Sequence, residues 1–158
     1  MALEERTVAF SRTENTFLVM PEHINGYGRL FGGVLMRWID EVAATVARRH
    51  CRTLVTTACV DSLNFLHPAR NGDTVVLVGY MTYIGRTSME VRVVTYVEEL
   101  DGTRHDINDA YLVLVSIDQE GNALPVPGLR LETEEERLAW ASGQRRYQLR
   151  KERRREGY

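Results

Sequence analysis

The chain has 158 residues, enough for one domain with a hydrophobic core of its own. Its 44% hydrophobic and 27% charged residues are ordinary for a soluble globular protein, and a formal net charge of −2 makes no case for nucleic acid or a membrane surface as partner. No apolar run approaches a membrane span, Met1 to Arg12 lacks the apolar stretch of a secretory signal, and Cys51 and Cys59 are too few for a disulfide framework or a zinc site, so a cytoplasmic protein without a metal is expected.

Residues 1–12 read as a polar lead-in. Thr16 to Met20 has the residues of a short strand, stopped by Pro21. The loop Asn25-Gly26-Tyr27-Gly28 follows, and at Gly32-Gly33 it opens into a helix that runs to about His50. Along that helix Phe31, Val34, Leu35, Trp38, Ile39, Val42 and Val46 recur at three- and four-residue spacing, which makes one apolar stripe. Asp40 falls opposite the stripe, with Gly33, Arg37, Ala44 and Ala47 on its side. Small residues around an acid imply that this second face also packs closely against something.

After Arg52 the pattern changes. Leu54 to Leu66 is rich in Val, Thr and Phe and ends at His67-Pro68, and Asn71-Gly72-Asp73 marks a turn. Thr74 to Ile84 is a strand, Gly85-Arg86-Thr87 turns into a second over Ser88 to Glu98, Asp101-Gly102 turns again, and Ile107 to Asp118 is the last long strand. Strands with such short connections pair antiparallel. One long apolar helix must be buried, so the sheet is expected to curl around it in an α+β domain. From about Glu132 the composition shifts to the acidic Glu134-Glu135-Glu136 and the basic run Arg145 to Arg155, with only Leu138, Trp140 and Leu149 as an apolar stripe. This reads as a helical extension whose basic end is a solvated tail, frayed near Tyr158. The domain plan is therefore a lead-in over 1–12, a core domain over 13–125 and a charged extension over 126–158.

The candidate chemistry lies at the loop and the helix. A helix start with close-approach glycines offers free backbone N–H groups to a carbonyl or an anion. A carboxylate further along offers a base or a nucleophile. Together they suggest hydrolysis of an acyl group. Each residue also has a plainer role: close packing for Gly32 and Gly33, a solvated polar face or an ion pair with Arg37 for Asp40, and a turn for Asn25. Gly26-x-Gly28 lacks the third glycine of a dinucleotide loop, and one helix followed by four strands is not a βαβ series. The histidines are scattered: His23 in the loop, His67 at a strand end, and His50 at the helix end, where it suits the dipole.

Asn25, Phe31-Gly32-Gly33, Met36, Trp38-Ile39-Asp40-Glu41, Phe65-Leu66-His67-Pro68, Gly72-Asp73 and Gly85-Arg86-Thr87-Ser88, in this order over about residues 14–120, resemble the hotdog-fold acyl-CoA thioesterases, in the acyl-CoA hydrolase branch. The resemblance implies a hotdog fold, in which an antiparallel sheet wraps one long helix. It implies that the Gly32 backbone N–H polarises a thioester carbonyl, that Asn25 assists, and that Asp40 attacks or activates water. It also lays Gly85 to Ser88 along coenzyme A, with Arg86 at a phosphate, Ser88 at a pantetheine amide, and Thr87 and Gly33 beside them. Thr57 falls on the strand that faces the helix in this fold. There it either orients water or, as a β-branched residue more commonly does, packs in the core. The basic run is either a tail or a catcher of coenzyme A phosphates. No cofactor is implied beyond coenzyme A itself, which belongs to substrate and product. The implied assembly is a homodimer at minimum, with a trimer of dimers as the larger form.

The spacing adds a deduction of its own. Gly32 and Asp40 are eight residues apart on one helix, a separation of roughly 12 Å along its axis. A base and an oxyanion donor must each come within about 3 Å of the reacting group. Two chains meet that condition more simply than one, so the site is expected at a dimer interface, with Gly32 and Asn25 from one subunit and Asp40 from the other. Two rival readings remain. A non-catalytic acyl-CoA sensor would bind without turnover, and Asp40 argues against it. A hotdog dehydratase would set a histidine beside the acid, and no histidine lies on the helix near Asp40.

Overall fold

The computed structural model describes residues 3–158. In chain order the elements are β1 (Arg6–Thr7), α1 (Val8–Ser11), β2 (Thr13–Leu18), a 3-10 turn at Pro21–His23, α2 (Gly32–Cys51), β3 (Leu54–Phe65), β4 (Thr74–Ile84), β5 (Ser88–Glu98), β6 (Arg104–Ile117), β7 (Leu129–Arg130) and α3 (Glu134–Glu156). Five strands form an antiparallel sheet in the order β2-β4-β5-β6-β3. Helix α2 packs against all five. This is the sheet-around-helix architecture expected from the sequence, and the strands Thr74–Ile84 and Ser88–Glu98 carry the bounds expected of them.

The apolar stripe of α2 builds the core. Leu35, Trp38, Ile39, Val42 and Val46 are buried against Val75, Leu77, Met89, Val91 and Leu112 of the sheet. The indole of Trp38 stacks on Phe17 of β2, with ring centroids 4.3 Å apart. The helix comes closest at Gly79, where a Cβ would lie 2.7 Å from Val42 Cγ1 and 3.0 Å from Val46 Cγ2. Only a glycine on β4 allows that approach. The helix ends at Arg52, which takes the left-handed conformation at φ 58°.

Besides β2, which spans Thr13–Leu18 rather than Thr16 to Met20 because Thr13 already pairs with Gly79 of β4, three elements differ from the expectation. Strand β6 starts at Arg104, earlier than Ile107, because Arg104, His105 and Asp106 pair with Glu98, Val97 and Tyr96 despite their polarity. Arg104 bonds Glu98 and Glu14 on the sheet surface, which gives that polar end its partners. The lead-in is docked: Arg6 and Thr7 pair parallel with Leu129 and Arg130, Thr7 caps α1 by accepting from Phe10 N, and Val8 and Ser11 are buried. A two-residue ladder has no periodicity for a sequence to display.

The basic run is the third correction. Helix α3 starts at a capping box of Thr133 and Glu136 and lies on the outer face of the sheet. Gly143 sits on Tyr83, where a Cβ would come 2.6 Å from the Tyr83 Cβ. Trp140 and Tyr147 flank the same tyrosine ring. Arg146 and Arg150 are not a solvated tail, because both bond the buried carboxylate of Glu90 on β5. With α2 on one face and α3 on the other, β4 and β5 are buried along most of their length.

Candidate active site

A cleft of about 320 Å³ opens at the start of α2, lined by Asn25, Arg29, Gly32, Phe65, His67 and Pro68 among others. Asn25 holds the loop that forms one wall. Its Oδ1 accepts from Tyr27 N at 2.9 Å and Arg29 N at 3.2 Å, so the turn role is real. Those two bonds fix the orientation of the side-chain amide and leave Nδ2 as a donor. Helix α2 has no side-chain cap at Phe31, and its first carbonyl-directed bonds come from Val34 N and Leu35 N. The N–H groups of Gly32 and Gly33 therefore keep the unpaired state of a helix start. A Cβ on Gly32 would meet only the Phe65 ring, at 3.5 Å. Gly33 is exposed, and a Cβ there would press on the Phe31 ring at 2.6 Å.

Asp40 lies two turns further along α2, exposed and outside that cleft. It is not paired with Arg37, which bonds Glu41 at 2.9 Å instead. Its partner is Thr57 of β3, whose Oγ1 donates to Asp40 Oδ1 at 2.6 Å. Thr57 is exposed rather than packed in the core, so of its two expected roles the core one is excluded. Within one subunit Asn25 meets Gly32, and Asp40 meets Thr57, but the two pairs stand at opposite ends of β3.

The turn Gly85 to Ser88 forms a third locality. Gly85 N donates to Ser88 O, and the carbonyls of Thr87 and Arg86 accept from Ser116 N and Val126 N, so the backbone here ties the sheet to the segment beyond β6. The side chains of Thr87 and Ser88 line a cavity of about 580 Å³ on the outer face, together with Val60, Tyr147, Arg153 and Arg154. Arg86 is exposed and lies outside its lining.

The histidines are distributed otherwise than their positions suggested. His23 accepts from Met20 N through Nδ1 and packs edge-on against Trp38, a structural role. His67, read from sequence as the end of a strand, lines the cleft with Asn25 and Gly32. Its position next to Pro68 gave no hint of that. His50 is not an exposed cap on the helix dipole. It is fully buried, with Nε2 2.9 Å from Pro127 O, and burial holds its pKa below the ordinary 6.5. Among the described residues no cluster of His, Cys, Asp and Glu is suited to a metal, and no helix is long and apolar enough to cross a membrane.

The sequence profile of the thioesterase superfamily matches residues 27–102. The human cytosolic acyl coenzyme A thioester hydrolase is 38% identical over 91% of this chain, which spans 39% of that protein's length. An acyl-CoA hydrolase from Staphylococcus aureus, solved with butyryl coenzyme A and coenzyme A, is 33% identical, with a TM-score of 0.91 over 96% of this chain and 93% of its own. That hydrolase has also been solved with single alanine replacements of an aspartate, an asparagine and a threonine. A hexameric acyl-CoA thioesterase is 38% identical, with a TM-score of 0.91 over 96% of this chain and 97% of its own.

Proposed function

The chain belongs to the thioesterase superfamily, and from that membership we propose that it hydrolyses the thioester of acyl-CoA to a free carboxylic acid and coenzyme A. The observation that carries the reading is the pairing of an exposed carboxylate, Asp40, with a hydroxyl donor, Thr57, on the same helix whose start offers free N–H groups beside Asn25. In this reading the thioester carbonyl oxygen sits at the Gly32 N–H, with Asn25 Nδ2 as a second donor. The developing oxyanion is stabilised there by fixed dipoles and by the positive end of α2. Thr57 holds one oxygen of Asp40 and leaves the other to attack the carbonyl carbon or to take a proton from water. Water supplies the hydroxyl of the acid, and the sulfur leaves as the coenzyme A thiol. Thr87, Ser88, Arg86 and Gly33 contact the substrate, in line with the positions of Thr87 and Ser88 in the outer cavity.

The two half-sites belong to different subunits. Strand β3 is an edge of the sheet, and Leu54, Val60 and Phe65 on it are exposed. A second copy pairs there antiparallel, with the two-fold axis close to Asp61. Thr57 then lies opposite Phe65 of the partner subunit, since each is four residues from Asp61. Phe65 is the residue beside Gly32, so the pairing carries the Asp40 of one subunit toward the Gly32 of the other. A trimer of such dimers is the full assembly, in keeping with the hexameric relative. Residues 13–125 form the unit that carries the chemistry, with 3–12 and 126–158 docked on it. We place the protein in the cytoplasm, where the human relative is named as cytosolic.

The test is release of free thiol from a panel of acyl-CoAs by the wild type and by Asp40→Asn. Turnover that collapses in the variant while acyl-CoA still binds supports the reading. Tight binding by the wild type with no turnover on any substrate would replace it with a sensor.

A further inference from the structure

Strand β3 is only weakly held in register by its own side chains, since Val55 and Leu63 alone among its hydrophobics pack against the core. Its burial does not alternate along Leu54–Phe65, and it bulges twice against β6, once between Thr57 and Cys59 and once between Val60 and Ser62. Ala58 and Asp61 are the unpaired extra residues. A strand without a distinct buried face is weakly specified, and a slip of one residue turns every side chain to the opposite face. Such a slip would carry Thr57 away from Asp40.

One contact on the other side of the sheet fixes the register. Asp61, only 7% exposed, accepts from Arg150 Nη1 at 3.0 Å and from Arg153 Nη2 of α3. The same Arg150 nitrogen donates to Glu90 Oε2 at 2.8 Å, so one guanidinium spans from β5 across β6 to β3. Glu90 is itself immobilised, fully buried and bonded by Thr82 Oγ1 at 2.6 Å and Arg146 at 2.7 Å. Bulges re-aim side chains, and this one turns Asp61 outward into a fixed pair of arginines. We infer that Asp61, through Arg150 and Arg153, is a positioning device that locks the bulged register of β3 and thereby keeps Thr57 facing Asp40. Helix α3, chemically remote from the thioester, sets the geometry of the carboxylate's partner.

The inference rests on the hydrolase reading for its catalytic consequence, and the experiment separates the two. The variants are Asp61→Ala, Asp61→Glu and the milder Arg153→Ala, which removes the more exposed of the two arms and, because Arg153 also lines the outer cavity, is expected to weaken coenzyme A binding as well. Each is assayed for kcat, KM and coenzyme A affinity, and amide hydrogen exchange is followed along β3 and β5. For Asp61→Ala the expected result is a kcat lower by about tenfold or more, with KM and coenzyme A affinity within about threefold. Exchange over 54–65 rises while β5 stays protected. Asp61→Glu recovers most of the loss, and Arg153→Ala shifts kcat and β3 exchange the same way by less. Unchanged kcat and unchanged β3 exchange in Asp61→Ala would overturn the inference. So would a loss spread evenly over β3 and β5 that glutamate does not rescue. Should the wild type release no thiol at all, the hydrolase reading fails, and the contrast between β3 and β5 exchange still decides whether Asp61 pins the strand.

Discussion

Thr57 Oγ1 reaches Asp40 Oδ1 at 2.6 Å, and this single bond ties the edge strand to the middle of the central helix. A hydroxyl that donates to one carboxylate oxygen orients the other without neutralising it. The rotamer of Asp40 is no longer free.

Asp40→Asn keeps the size of the side chain and removes the carboxylate. We expect kcat to fall by about two to four orders of magnitude, the range for losing a positioned base or acid, with little change in thermal stability because Asp40 is exposed. Steady-state thiol release beside a melting curve checks both. A single turnover in heavy-oxygen water then tests for direct attack: label found in Asp40 shows an anhydride intermediate that water opens at the Asp40 carboxyl carbon, whereas base catalysis puts the label only into the product acid.

Thr57→Val is nearly isosteric and removes only the donor. A hydrogen bond to a charged group contributes about 1.5–3 kcal/mol, so kcat is expected to drop by roughly ten- to a hundredfold. Serine at the same position restores most of it. A valine variant with wild-type kcat would show that Asp40 needs no orienting partner.

Gly32→Ala tests whether the helix start meets the substrate. The added methyl meets only the Phe65 ring at 3.5 Å, an ordinary contact, so the fold tolerates it. In the cleft the same methyl stands beside the N–H that is to bind the carbonyl oxygen. We expect an unchanged melting temperature and a kcat/KM lower by about tenfold or more, given that loss of one oxyanion donor costs about two to three orders of magnitude.

His50 makes stability depend on pH. Burial is the largest cause of its lowered pKa, with the nearby Arg6 acting in the same direction against the Pro127 hydrogen bond. Its Nδ1 has no partner among the described residues, so a second proton has nowhere to go. The unfolded chain regains the ordinary pKa of 6.5 and binds a proton that the folded chain refuses. Stability from this group is therefore complete above about pH 6.5 and declines below it, by at most about 1.4 kcal/mol per pH unit until the folded pKa is passed. Melting curves from pH 8 to pH 5 should show that decline, and His50→Gln should flatten it while lowering the plateau.

Gly143→Val should loosen α3. The new side chain would begin 2.6 Å from the Tyr83 Cβ and 3.1 Å from Glu90 Oε1, neither of which can retreat from a buried strand. Overpacking of this kind costs about 1–3 kcal/mol. Faster tryptic cleavage within Arg145–Arg155 than in the wild type is the measurement.

The long elements were legible because each carries a period. The stripe from Leu35 to Val46 needs a helix, and the valine-rich runs between Gly72, Gly85 and Gly102 need strands. Asp40 and Gly32 stood out by their place on that helix, a glycine at its start and an acid opposite its apolar stripe among small residues. What stayed hidden is held by pairs distant in sequence. Arg150 reads as one more solvated cation until Glu90 is placed beneath it, and the usable signal was in the strand, where Glu90 and Arg92 put charges among the valines between Met89 and Val97. Thr57 came into view only through the family resemblance, and its residue type left two roles open, since a β-branched residue suits any strand and its exposure follows from the edge position and the bulge after it.

Asp61 is the sole charged residue on β3, and α3 has turned it away from the open edge. That edge then carries no charge to repel strangers, only unpaired backbone and exposed Val60, Leu54 and Phe65. Edge strands of this kind template aggregation unless something guards them. A folded subunit waiting alone is thus a liability rather than a reservoir, and its correct mate is also its protection. If the proposed dimer pairs at this edge, dilution or slow synthesis should favour precipitation over a soluble monomer, and the yield of soluble protein would depend on the same encounter that completes the proposed site.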